Sequence, residues 1–338
     1  MQQQIDIFLK QAMHYHHIPG LAYAVVQDGK IIHQGQFGKA NLSWNMDVDK
    51  ETAFQTASCS KLFTALLLGK LFEEQLLLPD QTLGELLDSL PDYWKNISIK
   101  QLASHQSGIG MADFSKVSSS AEALALAKQQ PMVHEPGSKS FYASSDYWVL
   151  QYLIEAKTGM TYFEALKQYV LDPLGMQHTW VNNNTDGGIS TQSIVPKEAT
   201  VYAHANGEYV VSDMQFTKTG YAAGGIYTSI NDMAKIAQVL DEGKFLKPET
   251  QALLLSPVAL NEGGTGTFGI GFIAQPYQGH KVSGHSGGPA LADFVHFDQE
   301  KLTFIVLTNQ RGFPPYLSFT LAAMFIEGLQ KPVLPGQL

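Results

Sequence analysis

Cysteine is nearly absent. The 338-residue chain has one, Cys59, so no intramolecular disulfide can form, and oxidising export is neither required nor excluded. Arginine is equally scarce: of 22 basic residues only Arg311 is arginine, and the rest are lysine. With 31 acidic residues the formal net charge is −9. That balance lacks the basic footprint of a nucleic-acid binder. No apolar run reaches the roughly 18–20 residues that a spanning helix needs, so no transmembrane segment is expected. The first stretch, MQQQIDIFLKQAMHYHHIPG, has no basic segment followed by an apolar one. It reads as an amphipathic helix, not a signal peptide. The expectation is a cytoplasmic protein, or a periplasmic or secreted one if a leader was removed. His14, His16 and His17 match no zinc spacing, and Gly263-Gly264-Thr265-Gly266 lacks the lysine and the strand–helix setting of a phosphate loop. No metal and no cofactor is therefore expected.

What remains is ordinary globular composition, with 44% hydrophobic and 16% charged residues, enough for one large domain or two intertwined ones. Residues 2–16 predict a helix. Two apolar runs flanking Asp28-Gly29 predict a hairpin. SCSKLFTALLLGKLFEEQ, residues 58–75, is apolar on nearly every helical face up to Leu71 and so belongs inside the protein. Residues 80–180 carry mostly helical patterns, including LGELLDSL; 182–220 read as loops with short strands; 230–242 and 248–255 read as helices. From about residue 267 the period changes, and FGIGFIAQ, HKVSGHS, LADFVHFD and KLTFIVLTN are strand-like. YLSFTLAAMFIEGL predicts a last helix. Strands at both ends with helices between predict an α/β layer built from both chain ends, plus an inserted helical region.

Three short motifs carry candidate chemistry. Ser58-Cys59-Ser60-Lys61 stands where FQTAS meets the buried helix. If Ser58 starts that helix, the i,i+3 spacing puts Lys61 on the same face. An apolar surround favours the neutral amine, the form that acts as a base. About one S-x-x-K is expected by chance in a chain this rich in Ser and Lys; a Lys at the head of a buried helix is the feature that raises it. Tyr142, in FYASS, lies on a loop before a helix and suits either a proton relay or a half-buried packing role. Gly284-His285-Ser286-Gly287-Gly288 adjoins a strand where small residues admit a close backbone approach. By itself His285 is a polar contact, a metal ligand or a surface histidine. Cys59 points away from Lys61 on this helix and reads as packed.

Taken in order, S-x-x-K, Y-x-S and H-x-G resemble the serine β-lactamase superfamily, in the branch of class C β-lactamases, D,D-peptidases, D-aminopeptidases and β-lactamase-like esterases. The flanking segments FQTASCSKLFTALLL, ISIKQLASHQSGI, EPGSKSFYASSDYWVLQYLIEAKTG, LDPLGM, AAGGIYTSINDMAKIAQVL, GHSGG and FIVLTN agree, from residue 20 to 310. The resemblance implies an antiparallel sheet flanked by helices, in an α/β domain of residues 1–65 and 215–338. A mostly helical inserted domain of 66–214 completes it, with the active site in the cleft between. It implies that Ser58 forms an acyl-enzyme and that Lys61 and Tyr142 share the acid–base work. It further implies that the N–H groups of Ser58 and Gly288 form the oxyanion hole, such donors being worth ~3–4 kcal/mol each. By the same resemblance Ser144, His285, Ser286 and Gly287 are expected to face the substrate.

The departures are informative. Ser144 replaces the usual Asn, and His285 replaces a Lys that holds a β-lactam or peptide carboxylate. Pro314 and Leu317 stand where class C enzymes place an Asn and an Arg; Arg311 is a candidate substitute from a shifted position. No Glu is placed to activate a deacylating water. The expected function is serine hydrolysis of a small ester or a D-amino-acid amide or peptide. A class C-like β-lactamase, a penicillin-binding sensor and a biosynthetic transacylase are the alternatives. The expected partner is a small-molecule substrate, with no nucleic acid.

Overall fold

The computed structural model describes residues 1–114, 117–181, 194–214, 216–288, 291–312 and 317–332. The predicted hairpin forms from β1 (Gly20–Gln27) and β2 (Lys30–Asn41). Asp28 and Gly29 both take positive φ, 48° and 72°, the twist that suits a two-residue hairpin turn. Beyond β2 lie β3 (Met46–Asp47) and β4 (Phe54–Gln55). Later come β5 (Thr179–Val181), β6 (Tyr202–Ala205), β7 (Glu208–Val211) and β8 (Ile226–Thr228). The last five are β9 (Ile273–Tyr277), β10 (His280–Gly287), β11 (Ala292–Phe297), β12 (Leu302–Thr308) and β13 (Gln310–Arg311).

Seven of these make one antiparallel sheet in the order β3-β2-β1-β12-β11-β10-β9. The two chain ends thus meet at its centre, with Leu21 opposite Thr308 and Gln27 opposite Leu302. Asn309 locks that seam, accepting from the Gly20 N–H at 2.7 Å and donating to the Lys39 carbonyl at 3.0 Å. β1 is apolar at almost every position because both faces are covered. Leu21, Tyr23 and Val25 pack beneath the N-terminal helix (Gln2–Tyr15) and the 317–322 helix; Ala22, Ala24 and Val26 pack on the other side with the buried helix Ser60–Glu73.

Some boundaries differ from the sequence expectation. The buried helix begins at Ser60, after a 3₁₀ turn at Ala57–Cys59. LGELLDSL is helical only over Leu83–Leu86, ending where Leu87 turns extended at φ −134° and ψ 138°; its start is tied to the 95–97 segment, Leu83 N–H donating to Ile97 O and Gly84 N–H to Lys95 O. β9 begins at Ile273 because FGIGF is close-packed loop. A Cβ on Gly269 would sit 2.1 Å from the Leu254 carbonyl oxygen, and Gly271 adopts φ +74° against the backbone of the buried helix. The last helix ends at Ala322. Residues 182–193 and 215, part of the expected loop region, lie outside the described residues, as do Pro314 and the rest of 313–316.

Beneath the 317–322 helix, Asp293 of β11 is buried and accepts a hydrogen bond from Ser318. Burial raises its carboxyl pKa from 3.8 to about 7, against the lowering effect of Ser318. The folded protein therefore holds a proton that the unfolded chain releases, and stability drains away as pH rises from about 4 through 7. Asp293→Asn is expected to raise the melting temperature at pH 8 more than at pH 5, measured by thermal scans beside the wild type. An equal change at both pH values counts against the buried acid.

Candidate active site

Ser58 is held in a short turn pinned from three sides. Ala57 before it takes φ +43°, a left-handed conformation that a residue with a Cβ rarely adopts without being forced. Thr56 donates N–H and hydroxyl to Ile226 O of β8, and Ser60 Oγ accepts from the Ile226 N–H. Gly287 of β10 presses against Thr56 so closely that a Cβ there would lie 2.0 Å from the Thr56 carbonyl oxygen. The serine is thus fixed between the buried helix and the end of β10, half-buried but reachable.

Two groups converge on its hydroxyl. Tyr142 Oη donates to Ser58 Oγ at 2.8 Å and Lys61 Nζ at 3.4 Å. Lys61 is 1% exposed. Its Nζ also donates to Ala223 O at 2.7 Å and lies 5.1 and 5.0 Å from the ring centres of Tyr142 and Tyr147. Among the described residues no carboxylate forms an ion pair with it. Tyr142 itself is partly exposed and precedes the Ser144–Thr158 helix, as the loop reading expected.

His285 is buried on β10, with its ring centre 6.1 Å from that of Tyr142. Its Nδ1 lies 2.8 Å from Ser286 O, so that nitrogen carries the proton. Burial, with the nearby Lys61, pushes its pKa down to about 3. It is a neutral imidazole, and its Nε2 has no protein partner among the described residues. Cys59 is packed, its thiol donating to His285 O at 3.0 Å and burial raising its pKa well above normal.

The remaining candidates are spread more widely. Ser286 alternates with His285 along the strand and stands opposite Asp293, so its side chain faces the other side of the sheet. Gly288 is exposed at the end of β10, with open space where a side chain would be. Ser144 heads the 144–158 helix, half-buried, and makes no hydrogen bond to Ser58, Lys61 or Tyr142 among the described residues. Arg311 is exposed on β13 and donates to Ser212 Oγ at 3.2 Å. Sequence reasoning passed over His105 and Asp146, a buried pair 3.0 Å apart behind Tyr142. The visible signals were an Asp in the first turn of an apolar helix and a His just after a short one. Among the described residues no group of three or more His, Cys, Asp or Glu could hold a metal ion, and no helix is long and apolar enough to cross a membrane.

Comparison with known proteins identifies the family of the whole chain. The family described as Beta-lactamase matches residues 5–326. A D-aminopeptidase of Brucella anthropi is 28% identical over 334 residues, covering 94% of this chain and 61% of that protein. A penicillin-binding protein of Bacillus subtilis (strain 168) is 25% identical, covering 88% of this chain and 69% of its own length. The octameric penicillin-binding protein homologue from Pyrococcus abyssi superposes with a TM-score of 0.80 at 25% identity, over 95% of this chain and 76% of that one. The chain thus spans about three-fifths of the D-aminopeptidase it matches. From residue 5 to residue 326 this fold and this sequence have one source: the chain belongs to the β-lactamase family.

Proposed function

We propose that the chain is a serine hydrolase that forms an acyl-enzyme at Ser58 and acts on a small ester or a D-amino-acid amide or peptide. The observation that carries this reading is the convergence of Tyr142 Oη and Lys61 Nζ on one hydroxyl, at 2.8 and 3.4 Å. Ser58 Oγ attacks the substrate carbonyl while its proton passes to the Lys61–Tyr142 pair. The N–H groups of Ser58 and Gly288 take the developing oxyanion. The pair returns the proton to the leaving alcohol or amine, and the acyl group stays on Ser58. Water then repeats the sequence: the pair takes its proton, hydroxide adds to the acyl carbon, and Ser58 leaves with the proton restored. The cleft between residues 1–65 with 215–338 and the inserted 66–214 is the proposed location.

His285 supports the choice of substrate. A neutral imidazole offers no fixed cation to a carboxylate, so the β-lactam reading is weaker than the ester or D-aminoacyl one. The similar D-aminopeptidase of Brucella anthropi points the same way. Ser144, Gly287 and Arg311 complete the proposed substrate-facing set; the Ser286 side chain, on the opposite face of β10 from His285, is left out of it. The test is a panel of short-chain p-nitrophenyl esters, D-aminoacyl amides, D-Ala-D-Ala peptides and nitrocefin. No turnover of any ester or D-amide overturns the reading. Stable labelling by a fluorescent penicillin without turnover identifies a sensor, and acyl transfer to an added alcohol or amine in preference to water identifies a transacylase.

His285→Lys is expected to raise acylation by a fluorescent penicillin about tenfold relative to p-nitrophenyl acetate, since one charge-assisted hydrogen bond is worth about 1.4 kcal/mol or more. The ratio of the two rate constants is the measurement. An unchanged ratio removes His285 from carboxylate selection.

A further inference from the structure

Tyr142 is useful as an acid or base only if its oxygen stays on Ser58. Yet it is 38% exposed and sits on a loop. One residue touches it from three directions. The His105 carbonyl accepts the Phe141 N–H at 2.7 Å, and the His105 Nδ1 accepts the Ala143 N–H at 3.3 Å. Both chain neighbours of Tyr142 are therefore tied to His105. Its ring lies against the tyrosine ring, centres 4.4 Å apart and tilted by 46°. Tyr147 and Phe268 close in on the same imidazole at 5.2 and 4.9 Å. His105 holds a left-handed backbone, φ +56°, which suits His, Asn or Asp better than most residues.

The hydrogen bonds also order the protons behind it. Ile109 N–H donates to Ser107 Oγ, and Ser107 donates onward to Asp146 Oδ1. That oxygen is an acceptor. Asp146 Oδ2 lies 3.0 Å from His105 Nδ1, the nitrogen toward which the Ala143 N–H also points. A carboxylate there would set one lone pair against another; a protonated carboxyl donates. Burial acts the same way on both partners, raising the Asp146 carboxyl well above its usual range and, helped by Lys61 and His285, lowering His105 well below its own.

We propose that His105 is the positioning residue for Tyr142, and that a neutral Ser107–Asp146–His105 chain holds it in place without a buried ion pair. The charged and titratable groups around it are Lys61 on the buried helix, His285 on β10, and Tyr142 and Tyr147. None of them supplies a compensating anion. The proposal rests on the hydrolase reading above, with Tyr142 acting at Ser58.

The experiment measures kcat, KM and melting temperature for the best ester in the wild type, His105→Phe, His105→Asn, Asp146→Leu and Asp146→Asn. His105→Phe keeps a ring and loses the acceptor. It is expected to lower kcat on the order of 100-fold, the cost of an ångström-scale misplacement, with KM within about threefold of wild type. His105→Asn restores an acceptor and tolerates the left-handed backbone, so it recovers at least tenfold of that loss. Asp146→Asn still accepts from Ser107 and donates to Nδ1, and keeps most of kcat; Asp146→Leu does not. Equal losses in Asp146→Asn and Asp146→Leu, with folding intact by melting temperature, overturn the neutral chain. Wild-type kcat in His105→Phe overturns the positioning role. An inactive wild type overturns the hydrolase reading instead, so the two failures are distinguishable.

Discussion

Ser58→Ala is expected to reduce hydrolysis of short-chain p-nitrophenyl esters to the buffer rate, a fall on the order of 10⁴-fold or more. It should also abolish labelling by a fluorescent penicillin. The magnitude follows from the geometry: Tyr142 and Lys61 both aim at the Ser58 hydroxyl, and with that oxygen gone neither has a nucleophile to serve. Groups that act as a unit lose their effect together. Stability should change little, because a half-buried serine in a pinned turn gives up few contacts. Ester turnover persisting at a tenth of the wild-type rate in Ser58→Ala would sink the assignment and send the search to another residue.

The second large effect pairs a loss with a gain. Lys61→Met is expected to cost at least about 100-fold in kcat, the low end for a general base, while leaving the melting temperature equal or higher. Lys61 is buried among the apolar residues of its helix, with an amine resting on Ala223 O and two aromatic rings. Burying an amine without a carboxylate partner costs stability, and methionine fills a similar volume without that cost. Joint measurement of kcat and melting temperature checks it. A marked drop in melting temperature would show that the amine is structural, and unchanged kcat would remove it from the chemistry.

Much of this arrangement was legible in the sequence because it follows local rules. The all-round apolar stretch after Ser58 had to be an interior helix, and Asp28-Gly29 between apolar runs had to be a hairpin. Ser58, Lys61, Tyr142 and His285 could be picked out because three short motifs fall in order, although each one alone is ordinary. What escaped was imposed by tertiary contact. Nothing in FQTAS announces that Ala57 is driven to φ +43°; the force comes from β8 and β10, remote in sequence. FGIGF alternates like a strand, but its glycines are there because backbone from elsewhere leaves no room for a Cβ. His105 and Asp146 carry no periodic signal, being a residue after a short helix and one in a first turn. Their pairing exists only once the two helices meet.

The seam between β1 and β12 has a kinetic consequence. Gly20 and Asn309, bonded to each other, are 289 residues apart. A contact so distant forms late, after a large loop-closure cost. Until it forms, β1 presents an unpaired apolar edge, the kind of surface on which nascent chains associate wrongly. A fragment that ends at residue 290 contains Ser58, Lys61 and Tyr142 yet lacks β11 and β12, the latter being the strand that pairs with β1 on the edge away from β2. Such a fragment should aggregate, and adding residues 291–338 as a separate peptide during refolding should rescue it.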